Sequence, residues 1–289
     1  MKKYKLTEET IIVNGRTLYR IEALRDFANV KKGDKGGYVE NESNLSQYGD
    51  CWVYGKAEVF GNAKVFGNAE IYGYAKVYGN AMVYCDAKVY DNAKICDDAK
   101  VFDNAIVFDN AVVFENVVVY GNAEVYGNAE VYGDAVVYGN ARVYGNALVC
   151  DNAQVYDNAG VYHNAQVYGN AKVFENAEVS FDAKVYEYAK VYEYAMVQGN
   201  AKVYGNAEIR TNACIYGDAV IDSIGDYIVF KNFWSSGRSF TWTRSNDMWK
   251  VGCFYGTGEE LIKKAYKESE ISGREYERIV KYVETIKGK

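Results

Sequence analysis

Valine or isoleucine recurs at every sixth position of this chain from Val53 to Ile221, without an insertion. The pattern comprises 29 consecutive units, whose fifth position is alanine from Ala57 to Ala219, with Val117 as the one exception. An uninterrupted short period predicts a solenoid, because each unit can bury its apolar side only by stacking on its neighbours. Such a body offers few of the irregular loops on which catalytic residues usually lie.

Inward and outward positions alternate within each unit. The alanine and the aliphatic residue are predicted to point inward, whereas the variable residue between them and the aromatic residue that follows point outward, as in a short strand. A Gly-Asn or Asp-Asn pair closes the unit, and these residues accept the positive φ of a tight corner at low cost. With three units to a coil, we expect an all-β parallel solenoid of about ten coils, roughly 46 Å long.

The repeat carries the hexapeptide signature and so resembles the left-handed parallel β-helix family. Segments 26–40 (DFANVKKGDKGGYVE) and 44–54 (NLSQYGDCWVY) are similar to the start of the YdcK-like bacterial proteins. The resemblance covers roughly residues 1–222 and implies a left-handed coil. It also implies an acyltransferase assignment, which for those proteins is itself inferred from the repeat.

The chain is predicted to have three parts. Residues 1–52 form an N-terminal hairpin and cap, 53–222 the hexapeptide-repeat β-helix, and 223–289 a small α+β module. Residues 11–21 are predicted to form the hairpin, with Asn14-Gly15 as its two-residue turn.

The C-terminal module is predicted to combine a meander with two helices. Capping boxes at Thr257–Glu260 and Ser272–Glu275 mark the two helix starts. We expect the module to cover the open end of the solenoid, which would otherwise expose unpaired backbone groups. The three predicted strands are 226–233, 238–244 and 248–255.

The net charge of −6 is concentrated in the repeats, where 22 Asp and Glu stand against 12 Lys and Arg. An acidic body repels nucleic acid, so a nucleic-acid partner is not expected for the solenoid. The N-terminus lacks a secretory signal and the chain lacks a membrane-length apolar run, which predicts a cytoplasmic protein without membrane contact. Free thiols are therefore predicted for Cys51, Cys85, Cys96, Cys150, Cys214 and Cys253.

His163 is the only histidine and the only candidate general base. The resemblance to hexapeptide acyltransferases implies coenzyme A or acetyl-CoA as the cofactor of such an activity. Against it, His163 occupies a corner where neighbouring units carry Gly or Asp, and no excursion loop lies nearby. A zinc carbonic anhydrase of this fold needs several His ligands and is excluded by count.

Carboxylates also occupy several corners and could hold a divalent cation if enough oxygens converged. The simpler interpretation is that they are solvated turn residues, so no metal or other cofactor is expected. They are Asp91, Asp97, Asp98, Asp103, Asp109 and Glu115.

Tyrosine or phenylalanine follows the aliphatic residue in 23 of the 29 units. Units on one face repeat every 18 residues, so rings such as Tyr126 and Tyr144 are predicted to stack in ladders. Two interpretations stay open: cross-strand pairing that stabilises the sheets, and a surface for macromolecular binding.

An apolar belt at mid-length favours binding. The second outward position is usually Lys or Glu but becomes aliphatic here, which predicts a homo-oligomer (dimer or trimer) or a protein partner. The belt consists of Ile106, Val112, Val118, Val136 and Leu148, beside Phe102, Phe108 and Phe114.

The tail brings aromatic and basic residues together. Trp234, Trp242 and Trp249 with Arg238, Arg244 and Lys250 could stack on and neutralise a single nucleic-acid strand. The alternative is that these aromatics are buried between the strands and the helices.

These observations predict a non-enzymatic β-helix scaffold that presents an acidic, Tyr-rich surface for protein binding or self-assembly. Near-identical units multiply readily by duplication, which suits an adaptor of variable length such as one encoded by a mobile element. The alternative is an acyl-CoA-dependent acyltransferase.

Overall fold

The computed structural model describes residues 2–287 as a parallel β-solenoid of about ten coils, each of about 18 residues, followed by a small sheet and two helices. Each repeat contributes a two-residue strand made of the variable residue and the aliphatic residue. The aliphatic residues and alanines of the repeats fill one continuous core. The predicted alternation of inward and outward positions is confirmed.

The strands stack into three faces, named here in chain order. The first face contains Trp52–Val53, Glu70–Ile71, Lys88–Val89, Ile106–Val107, Glu124–Val125, Arg142–Val143, Gly160–Val161, Glu178–Val179, Met196–Val197 and Cys214–Ile215. The second face contains Glu58–Val59, Lys76–Val77, Lys94–Ile95, Val112–Val113, Glu130–Val131, Leu148–Val149, Gln166–Val167, Lys184–Val185, Lys202–Val203 and Val220–Ile221. The third face contains Lys64–Val65, Met82–Val83, Lys100–Val101, Val118–Val119, Val136–Val137, Gln154–Val155, Lys172–Val173, Lys190–Val191 and Glu208–Ile209.

Each corner places its first residue in the left-handed region, as at Gly145 (φ 75°) and Asp151 (φ 57°). Aspartate and glutamate at corners have a further structural role, because they accept the backbone N–H of the corner one coil later. Asp109 accepts the N–H of Gly127 at 3.1 Å, and Asp151 accepts that of Gly169 at 2.9 Å. Most of the acidic side chains of the repeats thus lie along the corners, and the glutamates of the strands lie on the faces.

The backbone N–H groups of the strands point toward the C-terminal end, as in the 2.9 Å bond from Glu58 N to the carbonyl of Ala75. The free carbonyl groups of the first coil therefore need donors from outside the repeats, and the free N–H groups of the last coil need acceptors. At the N-terminal end, the Asn44 amide donates to Gly61 O and Ala63 O, both at 2.9 Å, and the buried Lys3 ammonium donates to Cys51 O at 2.8 Å.

The N-terminal strands extend the second face. Tyr4–Val13 and Arg16–Ala23 form the hairpin, and Asn14 and Gly15 form its turn with positive φ, as predicted. The hairpin is longer than the predicted segment because its first strand begins at Tyr4. Lys35–Val39 then pairs with both the hairpin and Glu58–Val59, and a short 3-10 helix spans Glu42–Asn44.

The C-terminal module has four antiparallel strands where the sequence predicted three. The predicted segment 248–255 is divided by a turn at Gly252 (φ 55°). A 3-10 helix, Ile224–Asp226, precedes the sheet. The strands are Tyr227–Lys231, Ser239–Thr243, Met248–Val251 and Phe254–Gly256, and the helices are α1 (Gly258–Glu268) and α2 (Glu270–Ile286).

The capping box at Thr257 and Glu260 is confirmed. The one predicted at Ser272 is wrong, because Ser269 caps α2 and accepts the N–H of Ser272, which lies inside the helix. None of the helices within residues 2–287 is both long and apolar enough to cross a membrane.

Candidate functional site

The aromatic side chains stack at the spacing of the strand layers. On the third face, Phe66, Tyr84, Phe102, Tyr120, Tyr138, Tyr156, Phe174 and Tyr192 form an unbroken ladder with centroid separations of 4.7 to 5.1 Å. Neighbouring rings of this ladder lie within 8° of parallel. Each ring therefore covers the face of the next, which explains how rings on all three faces are compatible with exposure to water.

The other two ladders are shorter. On the first face, the ladder runs from Tyr54 to Tyr162 through Phe108, Tyr126 and Tyr144, which stack at 4.7 and 4.8 Å. On the second face, the buried Cys96 and Cys150 interrupt the ladder on either side of Phe114 and Tyr132. Burial raises the pKa of Tyr126 and Tyr144, so these phenols stay neutral at neutral pH.

The structure divides the predicted apolar belt among the three faces. Ile106 lies on the first face between Lys88 and Glu124. On the second face, Glu130 separates Val112 from Leu148. Only Val118 and Val136 are direct neighbours, on the third face beside Phe102 and its ladder. The aliphatic residues of the belt are therefore spread around the solenoid and separated by polar neighbours, except for the adjacent pair Val118 and Val136.

His163 lies at an exposed corner with φ 59°. Its ring contacts those of Tyr162, at 5.0 Å between centroids, and Phe181, at 4.6 Å. His163 lines neither of the two clefts, of about 660 and 490 Å³, that lie near the C-terminal end of the solenoid. This environment gives no geometric support to the role of general base.

The corner carboxylates do not gather into a cation site. Across residues 2–287, no group of three or more His, Cys, Asp or Glu side chains is arranged to hold a metal ion. Asp97, Asp103, Asp109 and Glu115 instead accept backbone N–H groups of the next coil.

The structure separates the aromatic and basic residues predicted to bind a nucleic-acid strand. Trp242 and Trp249 are buried in the second core against the helices, so the stacking role predicted for these two is wrong. Trp234 is 84% exposed. Arg238 and Arg244 precede and follow the strand Ser239–Thr243 and so lie at its opposite ends.

Two adjoining clefts of about 660 and 490 Å³ lie where the last coil meets the C-terminal sheet. We refer to them together as the C-terminal groove. Asn212, Lys231 and Ser239 line both clefts, Arg210 lines the larger one, and Arg238 and Lys250 line the smaller one together with Met196, Gln198 and Cys214. Sequence reasoning missed Arg210, Lys231 and Phe233. Two features of the sequence could have indicated them. Arg210 stands where most repeats have an aromatic residue, and Phe233 and Trp234 are adjacent aromatics before a Ser-Ser-Gly turn.

Comparison with known proteins gives a match within the repeats. No curated protein matches the chain. Residues 137–151 and 153–169 match the sequence model of the family described as YdcK Beta solenoid repeat. The central coils are thus similar to the repeats of that family, in agreement with their β-solenoid structure.

Proposed function

We propose that the protein is a non-enzymatic scaffold that self-associates through the middle of its third face. The observation that carries the proposal is the adjacency of Val118 and Val136 beside the longest aromatic ladder. Val118 and Val136 are partly exposed and lie beside the rings of Phe102, Tyr120 and Tyr138, so apolar side chains adjoin in both directions on this face. Aromatic-rich apolar patches are typical of the centres of protein interfaces.

Charged side chains surround this patch. Lys100 and Lys172 lie on the third face, whereas the corners on either side of it carry carboxylates such as Glu115 and Asp103. The apolar pair is thus bordered by charged side chains, as the apolar centre of an interface is typically surrounded by a polar rim.

A two-fold axis between Val118 and Val136 also fits the order of side chains. It places Val118 of one copy against Val136 of the other and Lys100 against Gln154, so that like charges do not meet near the centre. An interface of this kind is closed by a single two-fold axis.

The test compares native mass, by native mass spectrometry and light scattering, for the wild type and the Val118→Lys/Val136→Lys double variant. We expect a wild-type dimer and a monomeric variant. Ile106→Lys/Val112→Lys is the matched control, because it adds the same charges at similar height on the other two faces and should keep the dimer. A monomeric wild type, or equal masses for the two double variants, would contradict the proposal.

A further inference from the structure

The C-terminal groove carries positive charge without lining carboxylates. Arg210, Lys231, Arg238 and Lys250 line it, and among its described lining residues none is Asp or Glu. Three carboxylates lie just outside this lining: Glu268 contacts Arg238 at 3.5 Å on the side of α1, Glu193 accepts the N–H of Thr211 at 2.6 Å, and Glu208 lies near Arg210. The Lys250 ammonium sits 4.4 Å from the centre of the Tyr216 ring, which orients it over the last coil.

Phe233 lines the larger cleft of this groove, and Trp234 follows it in the same loop. Phe233 and Trp234 are 79% and 84% exposed, which is costly for side chains of this size unless a partner covers them.

The loop that presents these rings is ordered. Asn232 is 3% exposed, and its side-chain amide oxygen Oδ1 accepts the N–H groups of Trp234 and Ser235 at 3.0 and 3.1 Å. The Asn232 backbone N–H also donates to Arg238 O at 3.0 Å and closes the loop. The two rings are therefore held outward by a buried polar anchor, so their exposure is a fixed feature of the fold.

We propose that the C-terminal groove binds single-stranded nucleic acid. Cations spaced along an open groove neutralise successive phosphates, and exposed rings offer surfaces on which unpaired bases stack. An acidic peptide would need the cations but would leave Phe233 and Trp234 without a partner, which is why a nucleic-acid strand fits better. The carboxylates along the solenoid corners repel the same strand, so binding is confined to this end of the molecule.

The experiment measures fluorescence anisotropy of labelled oligothymidylate and oligouridylate with the full-length protein at several salt concentrations. Trp234→Ala is expected to weaken binding about tenfold, the loss of one stacked base. Lys231→Gln/Lys250→Gln is expected to weaken binding and to flatten the slope of log affinity against log salt by about 0.7 for each phosphate that the variant no longer neutralises. The two probes distinguish DNA from RNA.

Two matched controls share the chemistry of the altered residues but lie outside the groove. Tyr188→Ala removes an aromatic side chain that is 62% exposed at a corner of the solenoid, and Arg244→Gln removes an exposed cation at the end of Ser239–Thr243 opposite to Arg238. Both should bind as the wild type does. The proposal is overturned if neither probe binds at low salt, or if the controls lose as much affinity as the groove variants. Displacement of the probes by polyglutamate with equal affinity for wild type and Trp234→Ala would assign the groove to an acidic protein segment instead.

Discussion

The hydroxyl of Thr241 accepts the backbone N–H of Cys214 at 2.9 Å, and so a side chain of the C-terminal sheet completes the last strand of the first face. Ser245 does the same for the N–H of Val220 at 2.7 Å, and the Asp226 carboxylate for that of Asp222 at 3.0 Å. All three caps are acceptors because the last strands expose backbone N–H groups at this end, and the Tyr227 hydroxyl in addition donates to the carbonyl of Glu208 at 2.7 Å. The C-terminal module therefore covers the open end by supplying oxygen atoms, in keeping with its predicted role as a cap.

We predict that Thr241→Val destabilises the last coil by about 1 to 3 kcal/mol, because it keeps the shape of a buried side chain but leaves a buried N–H without a partner. Hydrogen exchange of the Cys214 amide measures this locally, which matters because a long repeat array need not unfold in one step. Thr243→Val is the control, since the Thr243 hydroxyl bonds only within its own turn, to Asn246. Equal exchange rates for the Cys214 amide in both variants would contradict the capping role.

The corners allow a second prediction. A Cβ built on Gly145 would lie 2.9 Å from the backbone nitrogen of His163, at φ 75°. Corners with side chains nevertheless occur in consecutive coils, as at Asp157 (φ 57°) and Glu175 (φ 57°), so a small rotation of φ accommodates the Cβ. We predict that Gly145→Asp changes stability by less than about 1 kcal/mol, because its carboxylate can accept the next N–H.

Gly145→Val, which supplies no acceptor and is β-branched, should cost about 1 to 3 kcal/mol. Thermal unfolding of the two variants checks the difference. If Gly145→Asp proves as unstable as Gly145→Val, the carboxylate does not compensate for the strained corner.

The structure of the repeat was predictable because a period of six residues determines which residues form the strand, which form the corner and which are buried in the core. Inward positions such as Val137 and outward positions such as Tyr138 follow from alternation alone. The distribution of the apolar belt was harder to foresee, because only residues that are 18 apart lie side by side on one face. Val118 and Val136 are separated by one coil, whereas Ile106 and Val112 fall on different faces.

The C-terminal module was less predictable because its pattern is not repeated. Trp242 and Trp249 alternate with polar residues and are equally compatible with a core and with a binding surface. Their burial depends on α1 and α2, whose packing no local pattern shows. The groove was missed for the same reason, since Arg210 and Lys231 meet only through the docking of the sheet on the last coil.

A third prediction concerns the thiols. Cys253 is exposed, whereas Cys51, Cys96, Cys150 and Cys214 are buried. Burial raises the pKa of Cys214 to about 11, and it raises the pKa of Cys96 and Cys150 as well, which further lowers their reactivity because the thiolate is the nucleophile. We expect a disulfide reagent to modify Cys253 first in the native protein, and Cys253→Ser to remove that fast phase. Rapid modification of several thiols in the native state would contradict the described burial.

The ladders predict how stability depends on alkaline pH. Burial, followed by the nearby Glu70 carboxylate, raises the pKa of Tyr54 from its ordinary 10 to about 12. Burial, followed by a hydrogen bond to Glu178, likewise raises the pKa of Tyr162 to about 12. A raised pKa in the folded state means that the folded chain releases these protons at a higher pH than the unfolded chain does. The contribution to stability is therefore fully present below about pH 10 and is lost as the pH rises toward 12.

Absorbance titration of tyrosinate should show that a group of tyrosines, with Tyr54 and Tyr162 among them, ionises above pH 10 in the native protein and near pH 10 in denaturant. Glu70→Gln should bring part of this titration back toward pH 10, because Glu70 accepts the hydroxyls of both Tyr54, at 3.3 Å, and Tyr72, at 2.6 Å. Glu130→Gln is the control, since Glu130 is exposed and accepts no tyrosine hydroxyl within the described chain. A native titration centred near pH 10, identical in wild type and Glu70→Gln, would mean that the rings are solvated separately rather than stacked, and would remove the physical basis for treating the ladders as continuous surfaces.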